Sequence, residues 1–191
     1  DSLTGQANDN LFPGEDWAKF LKEIQKDGKM SLMLYKAFFA RKYDAFAETQ
    51  CPPVQSPKGV FYPAPDCAAE FYRKVFASFK KTATAFSSST PFAAFETDFL
   101  SDHLLPTTGI SNTSDGLSQY LFGLTTAAFE VGVATQLCMP TAGIVLASAR
   151  WPAATNGRVS TDYATESDPT STWAKTYNIG IGSLLFWSVG L

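Results

Sequence analysis

The stretch PFAAFETDFL, residues 91–100, is an apolar run that ends in two acids, Glu96 and Asp98. Its front half does not alternate polar with apolar, as a strand with one wet face would. A short apolar run bounded by turn residues fits a strand buried on both faces, the kind found in parallel sheets. On that reading the acids stand at the strand's carboxyl end, where parallel α/β folds place their chemistry.

The flanking sequence supports a βα rhythm. Upstream, DCAAEFYRKVFASFKKTATAF reads as a helix with Phe71, Val75, Phe76 and Phe79 on one face. Downstream, SDGLSQYLFGLTTAAFEVG reads as another, capped by Ser114, with Leu117, Tyr120, Leu121, Leu124 and Ala128 as its stripe. VATQLCMP is then a strand stopped by Pro140, AGIVLASARW a short helix and GRVSTDYA a strand. STWAKTYNIG reads as a helix and SLLFWSVGL as a last strand. Near the start, GEDWAKFLKEIQKDGKM carries Trp17, Phe20, Leu21 and Ile24 at helical spacing, and KMSLMLYKAFF follows as a strand. A proline-rich loop holding Pro52, Pro53, Pro57, Pro63 and Pro65 separates it from the next helix.

Helix and strand therefore alternate, which predicts an α/β fold with a parallel sheet covered by helices. Five strands fit an open sheet or an incomplete (β/α)8 barrel, since a closed one takes about 250 residues. The expectation is one α/β domain over residues 1–191, a fragment of a larger barrel of catalytic type. The apolar C-terminal run and the absence of an initiating Met point the same way.

Composition excludes several classes. The 191 residues are 45% hydrophobic and 17% charged, with a formal net charge of -3. No basic block is present to meet nucleic acid or an anionic membrane. The longest apolar run falls short of the roughly 20 residues a transmembrane helix needs. Three cysteines leave at least one unpaired. Cys51 and Cys67 flank the proline-rich loop and could bridge, but two ordinary thiols are the expectation. Asn112-Thr113-Ser114 is a glycosylation sequon only if the chain is secreted.

Strand ends supply the candidate site residues. The strand at 91–100 delivers Glu96 and Asp98, with Asp102 and His103 just after. The strand at 133–140 delivers Cys138 and Met139, and the first delivers Tyr35 and Lys36. GRVSTDYA delivers Asp162 with Arg158 four positions earlier. Residues i and i+4 on a strand share a face, so both would look into one hollow. Two carboxylates on one cavity are what glycoside cleavage needs, one to attack and one to carry the leaving group's proton. An arginine nearby would keep the attacking acid ionised. Equally, a strand-end Asp can cap the next helix, and an Arg at i−4 can form a structural ion pair. Asp98, Asp102 and His103 give too few ligands on one loop for a metal site. Cys67 and Cys138 lack a nucleophile signature, and no G-x-S-x-G elbow accompanies the sole histidine, His103. Trp151, Trp173 and Trp187 could stack on sugar rings, although Trp187 lies within an apolar run and is expected to be buried.

FETDFL followed by RVSTD resembles the retaining α-galactosidase clan, with its raffinose-synthase-like members. The resemblance implies a (β/α)8 barrel of which strands three to seven would be present. It implies Asp98 as nucleophile, Asp162 as acid/base and Arg158 as a sugar contact; Glu96, Lys36, Asp102 and His103, placed by the strand ends, are the further substrate contacts expected. No metal or organic cofactor is implied; the partner is a carbohydrate, with other subunits or further chain against the open sheet. The clan's lysine two residues before the nucleophile is Glu96 here, which would alter the substrate or leave Asp98 harder to ionise. The alternative expectation is a non-catalytic, barrel-derived accessory subunit.

Overall fold

The computed structural model describes residues 31–86, 92–112, 115–159 and 169–191. The helix expected over 14–30, the Ser114 cap and Asp162 lie outside the described residues.

Four parallel strands form the main sheet: β1 (Leu32–Tyr35), β4 (Phe92–Thr97), β5 (Ala134–Leu137) and β6 (Ala154–Gly157), side by side in that order. Each strand thus pairs with its chain predecessor in the sheet, the arrangement of a singly wound α/β unit. The sheet is open, with β1 and β6 as its edges among the described residues; it does not close into a barrel.

Between β1 and β4 run α1 (Asp44–Thr49), an antiparallel hairpin of β2 (Pro53–Gln55) and β3 (Phe61–Pro63), a single 3-10 turn (Pro65–Cys67) and α2 (Ala68–Phe86). A π-type turn (Leu100–Leu104) leads from β4 toward α3 (Gly116–Glu130). Then α4 (Ala142–Ser148) connects β5 to β6, and α5 (Pro169–Ser188) follows.

Aromatic burial joins helices to sheet. The α2 stripe is buried as its spacing predicts, with Phe71 and Phe76 at 0% exposure. Phe76 meets Phe95 of β4 edge-on at 5.2 Å, and Phe79 meets Phe92 at 5.6 Å. Edge-to-face pairs add roughly 1 kcal/mol each to their burial. Helices α2 and α3 lie against each other, and the hydroxyls of Tyr72 and Tyr120 satisfy one another at 2.5 Å inside that contact. A Cβ on Gly123 of α3 would stand 2.8 Å from the Ala69 backbone nitrogen, so this crossing requires glycine.

The two sheet faces differ, contrary to the expectation of strands apolar throughout. Phe95 pairs in register with Thr135 and Thr97 with Leu137, and all four are buried. Opposite them lies a polar row in register across all four strands: Tyr35, Glu96, Gln136 and Asn156. Tyr35 is 52% exposed, so helices cover the sheet on one face only among the described residues.

Four further expectations are corrected. SLLFWSVGL is helical and continuous with the preceding segment in α5, leaving four parallel strands among the described residues where five were expected. Gly180 and Gly182 resemble a stop, but a Cβ on Gly182 would meet Val159 at 2.9 Å, so the helix passes too close for a larger residue. Where a strand was expected at 157–164, the fourth strand of the sheet is Ala154–Gly157 and Arg158 follows it; residues 160–164 lie outside the described residues. Finally, Cys51 and Cys67 form a disulfide with Cα atoms 5.7 Å apart. The proline-rich segment is the β2–β3 hairpin rather than open loop, and it returns the chain beside Cys51. Pro53 and Pro63 face each other in it, at the end of a ribbon whose outer β3 edge pairs with Phe39 only through Phe61 among the described residues.

Candidate functional site

Side chains two residues apart on a strand share a face. Stepping two residues beyond the Glu96–Gln136–Asn156 row reaches Asp98, Cys138 and Arg158. The ladder extends to this second row: Cys138 N–H donates to the Thr97 carbonyl at 2.9 Å, and Arg158 N–H to Leu137 at 2.9 Å. Acid, thiol and guanidinium therefore emerge on adjacent strands, at the carboxyl end of the sheet and on its polar face.

Asp98 is the best-held member. Its Oδ2 accepts from the Tyr35 hydroxyl at 3.0 Å, and its Oδ1 from the Phe99 backbone N–H at 2.6 Å. Only 8% of the residue is exposed. Phe99 and Met139, which directly follow Asp98 and Cys138, both take left-handed backbone conformations, with φ of 56° and 52°. Such conformations cost side-chain-bearing residues of order 1 kcal/mol or more and cluster at functional sites. Here two strands turn sharply just after delivering a site residue.

Oxygens of Glu96 and Asp98 and the sulfur of Cys138 all lie within 4.8 Å of one another. Burial pushes the Cys138 thiol well above its ordinary range, helped by its hydrogen bond to Asp98 and that carboxylate's charge; Arg158 pulls the other way. The thiol therefore stays protonated and donates, which removes it as a nucleophile at neutral pH. The same three atoms have spacing a cation could bridge, but a protonated thiol and the Arg158 charge both oppose one. Tyr35 is pushed up to about 12, first by burial and then by its bond to Asp98. Tyr62, from the hairpin, contributes a buried hydroxyl without a hydrogen-bond partner, and its ionisation is opposed by burial and then by Asp98 and Tyr35.

Of the residues expected at the site, Asp98, Glu96 and Arg158 are brought together. Lys36 is not: its ammonium lies over the Phe39 ring at 5.5 Å, on the helix-facing side, and burial lowers its pKa. Asp102 is exposed and accepts from the neighbouring Ser101 hydroxyl at 2.8 Å. His103 stacks on Phe99 at 4.6 Å and Phe38 at 5.7 Å, with its Nδ1 buried and unpartnered. These positions suit packing better than sugar contact. Asp162 lies outside the described residues.

Sequence reasoning passed over Gln136, Asn156 and Tyr62, and named Tyr35 without giving it a role. Parallel alignment of the four strand ends would have found the first two and Tyr35; Tyr62 needs the hairpin.

No protein-family model matches the chain, nor does any curated protein or solved structure. The α/β architecture with its four-stranded parallel sheet thus rests on the chain's own geometry.

Proposed function

We propose that the polar face is a glycoside-cleaving site of the retaining type, working on an α-linked sugar. The observation that carries this reading is the second row: Asp98 and Arg158 emerge on one face at the carboxyl end of a parallel sheet. In the reaction, an Asp98 oxygen attacks the anomeric carbon while the glycosidic oxygen leaves with a proton from the Asp162 carboxyl. Asp162, now a carboxylate, takes a proton from water or an acceptor sugar, whose oxygen displaces Asp98. Oδ2 is the oxygen that accepts from the half-exposed Tyr35. Glu96 would accept from a sugar hydroxyl, and the Arg158 guanidinium would donate to one. The resemblance of Arg158-Val-Ser-Thr-Asp162 to the clan's R-x-x-x-D motif, rather than described geometry, supplies the role of Asp162.

Turnover of aryl α-glycosides tests the proposal. Asp98→Asn should lower kcat by about a thousandfold or more. A slow-turnover activated glycoside should leave a sugar ester on the peptide holding Asp98. Undiminished turnover by the variant, or no labelled peptide, would remove Asp98 as nucleophile.

A second reading, an accessory subunit, is favoured by the outer surface of α5. Trp173, Tyr177, Ile181, Leu184 and Trp187 are 52–78% exposed. At about 100° per residue they fall within one third of the helix circumference. A contiguous apolar patch of this kind marks contact with further protein. Size-exclusion of the 191-residue chain addresses it, a well-behaved monomer counting against dependence on other subunits.

A further inference from the structure

We propose that the chain matures in an oxidising secretory compartment and that Asn112 carries an N-linked glycan. Two independent observations meet here, neither depending on the glycosidase reading. First, Cys51 and Cys67 are joined, while Cys138 lies at 1% exposure between Asp98 and Arg158 on the main sheet and cannot compete for either. Disulfides persist in secreted and lumenal proteins and are rare in reducing compartments. Second, the only Asn-X-Ser/Thr triplet of the sequence, Asn112-Thr113-Ser114, places its asparagine on the exposed surface between β4 and α3.

The local geometry suits the modification. Asn112 Oδ1 accepts from the Gly109 N–H at 2.7 Å, and Gly109 has the left-handed φ of 92° that this turn needs. The sugar is carried by Nδ2, so the fold uses one end of the amide and the glycan the other. The turn survives modification because N-glycosylation keeps the carbonyl oxygen as an acceptor.

Both covalent steps balance. Two thiols lose two protons and two electrons to a thiol–disulfide oxidant of the compartment, which is itself reduced. The Asn112 amide nitrogen displaces pyrophosphate from the anomeric carbon of a lipid-linked oligosaccharide. A C–N bond forms, the C–O bond to phosphate breaks, the nitrogen loses one proton to a base, and the lipid pyrophosphate departs.

The test is a non-reducing peptide map of the protein isolated from the cells that make it. The expected result is a linked Cys51–Cys67 peptide pair and a glycosylated Asn112 peptide. Peptide-N-glycosidase in heavy-oxygen water should convert that asparagine to an aspartate carrying the label. Expression in the same cells of Ser114→Ala, which leaves Asn112 itself unchanged, should abolish the electrophoretic shift, and Ser114→Thr should retain it. Bare Asn112 in the native protein would overturn the glycan, with or without the disulfide. Alkylation of Cys51 and Cys67 as free thiols would overturn the compartment.

Discussion

The Tyr35 hydroxyl reaches across 63 positions of chain to donate to Asp98 Oδ2 at 3.0 Å, tying the end of β1 to the end of β4. The phenol is half in solvent, so this bond orients the carboxylate more than it stabilises the fold. Tyr35→Phe should shift unfolding by less than about 1 kcal/mol. In the proposed reaction it should lower kcat by about tenfold or more, because Oδ2 loses the donor that fixes its direction. Denaturation and turnover of aryl glycosides, measured on the same preparation, separate the two effects. A large loss of stability with unchanged turnover would make Tyr35 structural.

The buried tyrosines predict an alkaline limit. Burial pushes Tyr35 and Tyr43 up to about 12, and Tyr72 and Tyr120 higher still. Each folded value lies above the unfolded one, so the associated stability is complete below about pH 10. It declines as pH rises from there through the folded values, because the unfolded chain ionises first. Phenolate absorbance should therefore appear together with unfolding for the Tyr72–Tyr120 pair. A titration finding every tyrosine near its ordinary value in the folded protein would contradict the packing of α2 on α3.

Glycines at two helix positions should respond with opposite sign. Gly123→Ala places a methyl against the Ala69 nitrogen and Ala68 Cβ, backbone that cannot give way, and should destabilise by about 1–3 kcal/mol. A Cβ on Gly180 in α5 meets nothing within 4 Å, so Gly180→Ala should stabilise by up to about 1 kcal/mol through helix propensity. Urea denaturation of both variants checks the pair.

Removing the disulfide should cost about 3 kcal/mol, the loop-closure value for a separation of 16 residues. Cys51→Ser with Cys67→Ser, compared with the parent with and without reductant, measures it. Equal midpoints in all samples would show that the hairpin holds without the bridge.

Legibility in the sequence followed how local each signal was. Strands β4 and β5 were readable because Pro140 and the acids bound short apolar runs. The stripes on α2 and α3 were readable because one face carries them throughout. The hairpin was hidden by Pro53 and Pro63, which argue against a strand until an outward edge excuses them. Helix α5 was cut in two by Gly180 and Gly182, whose reason is a contact with Val159 that only the fold shows. The disulfide depended on a Cα separation that spacing along the chain does not encode. Within the site, Asp98 and Glu96 followed from the strand-end rule; Arg158 was expected inside a strand ending at Asp162 and instead stands just past the end of β6, and the turn of Lys36 away from them depended on where Phe39 packs.

The strand order has a bearing on how the chain comes to be folded. Since every parallel pairing joins a segment to the one laid down before it, assembly can proceed in the direction of synthesis, each arriving βα unit docking on a finished surface. Such stepwise growth keeps exposed edges brief in time. It also means that, among the described strands, β6 and Arg158 join after β4 and Asp98, so the polar face acquires this positive charge only once its acid is in place.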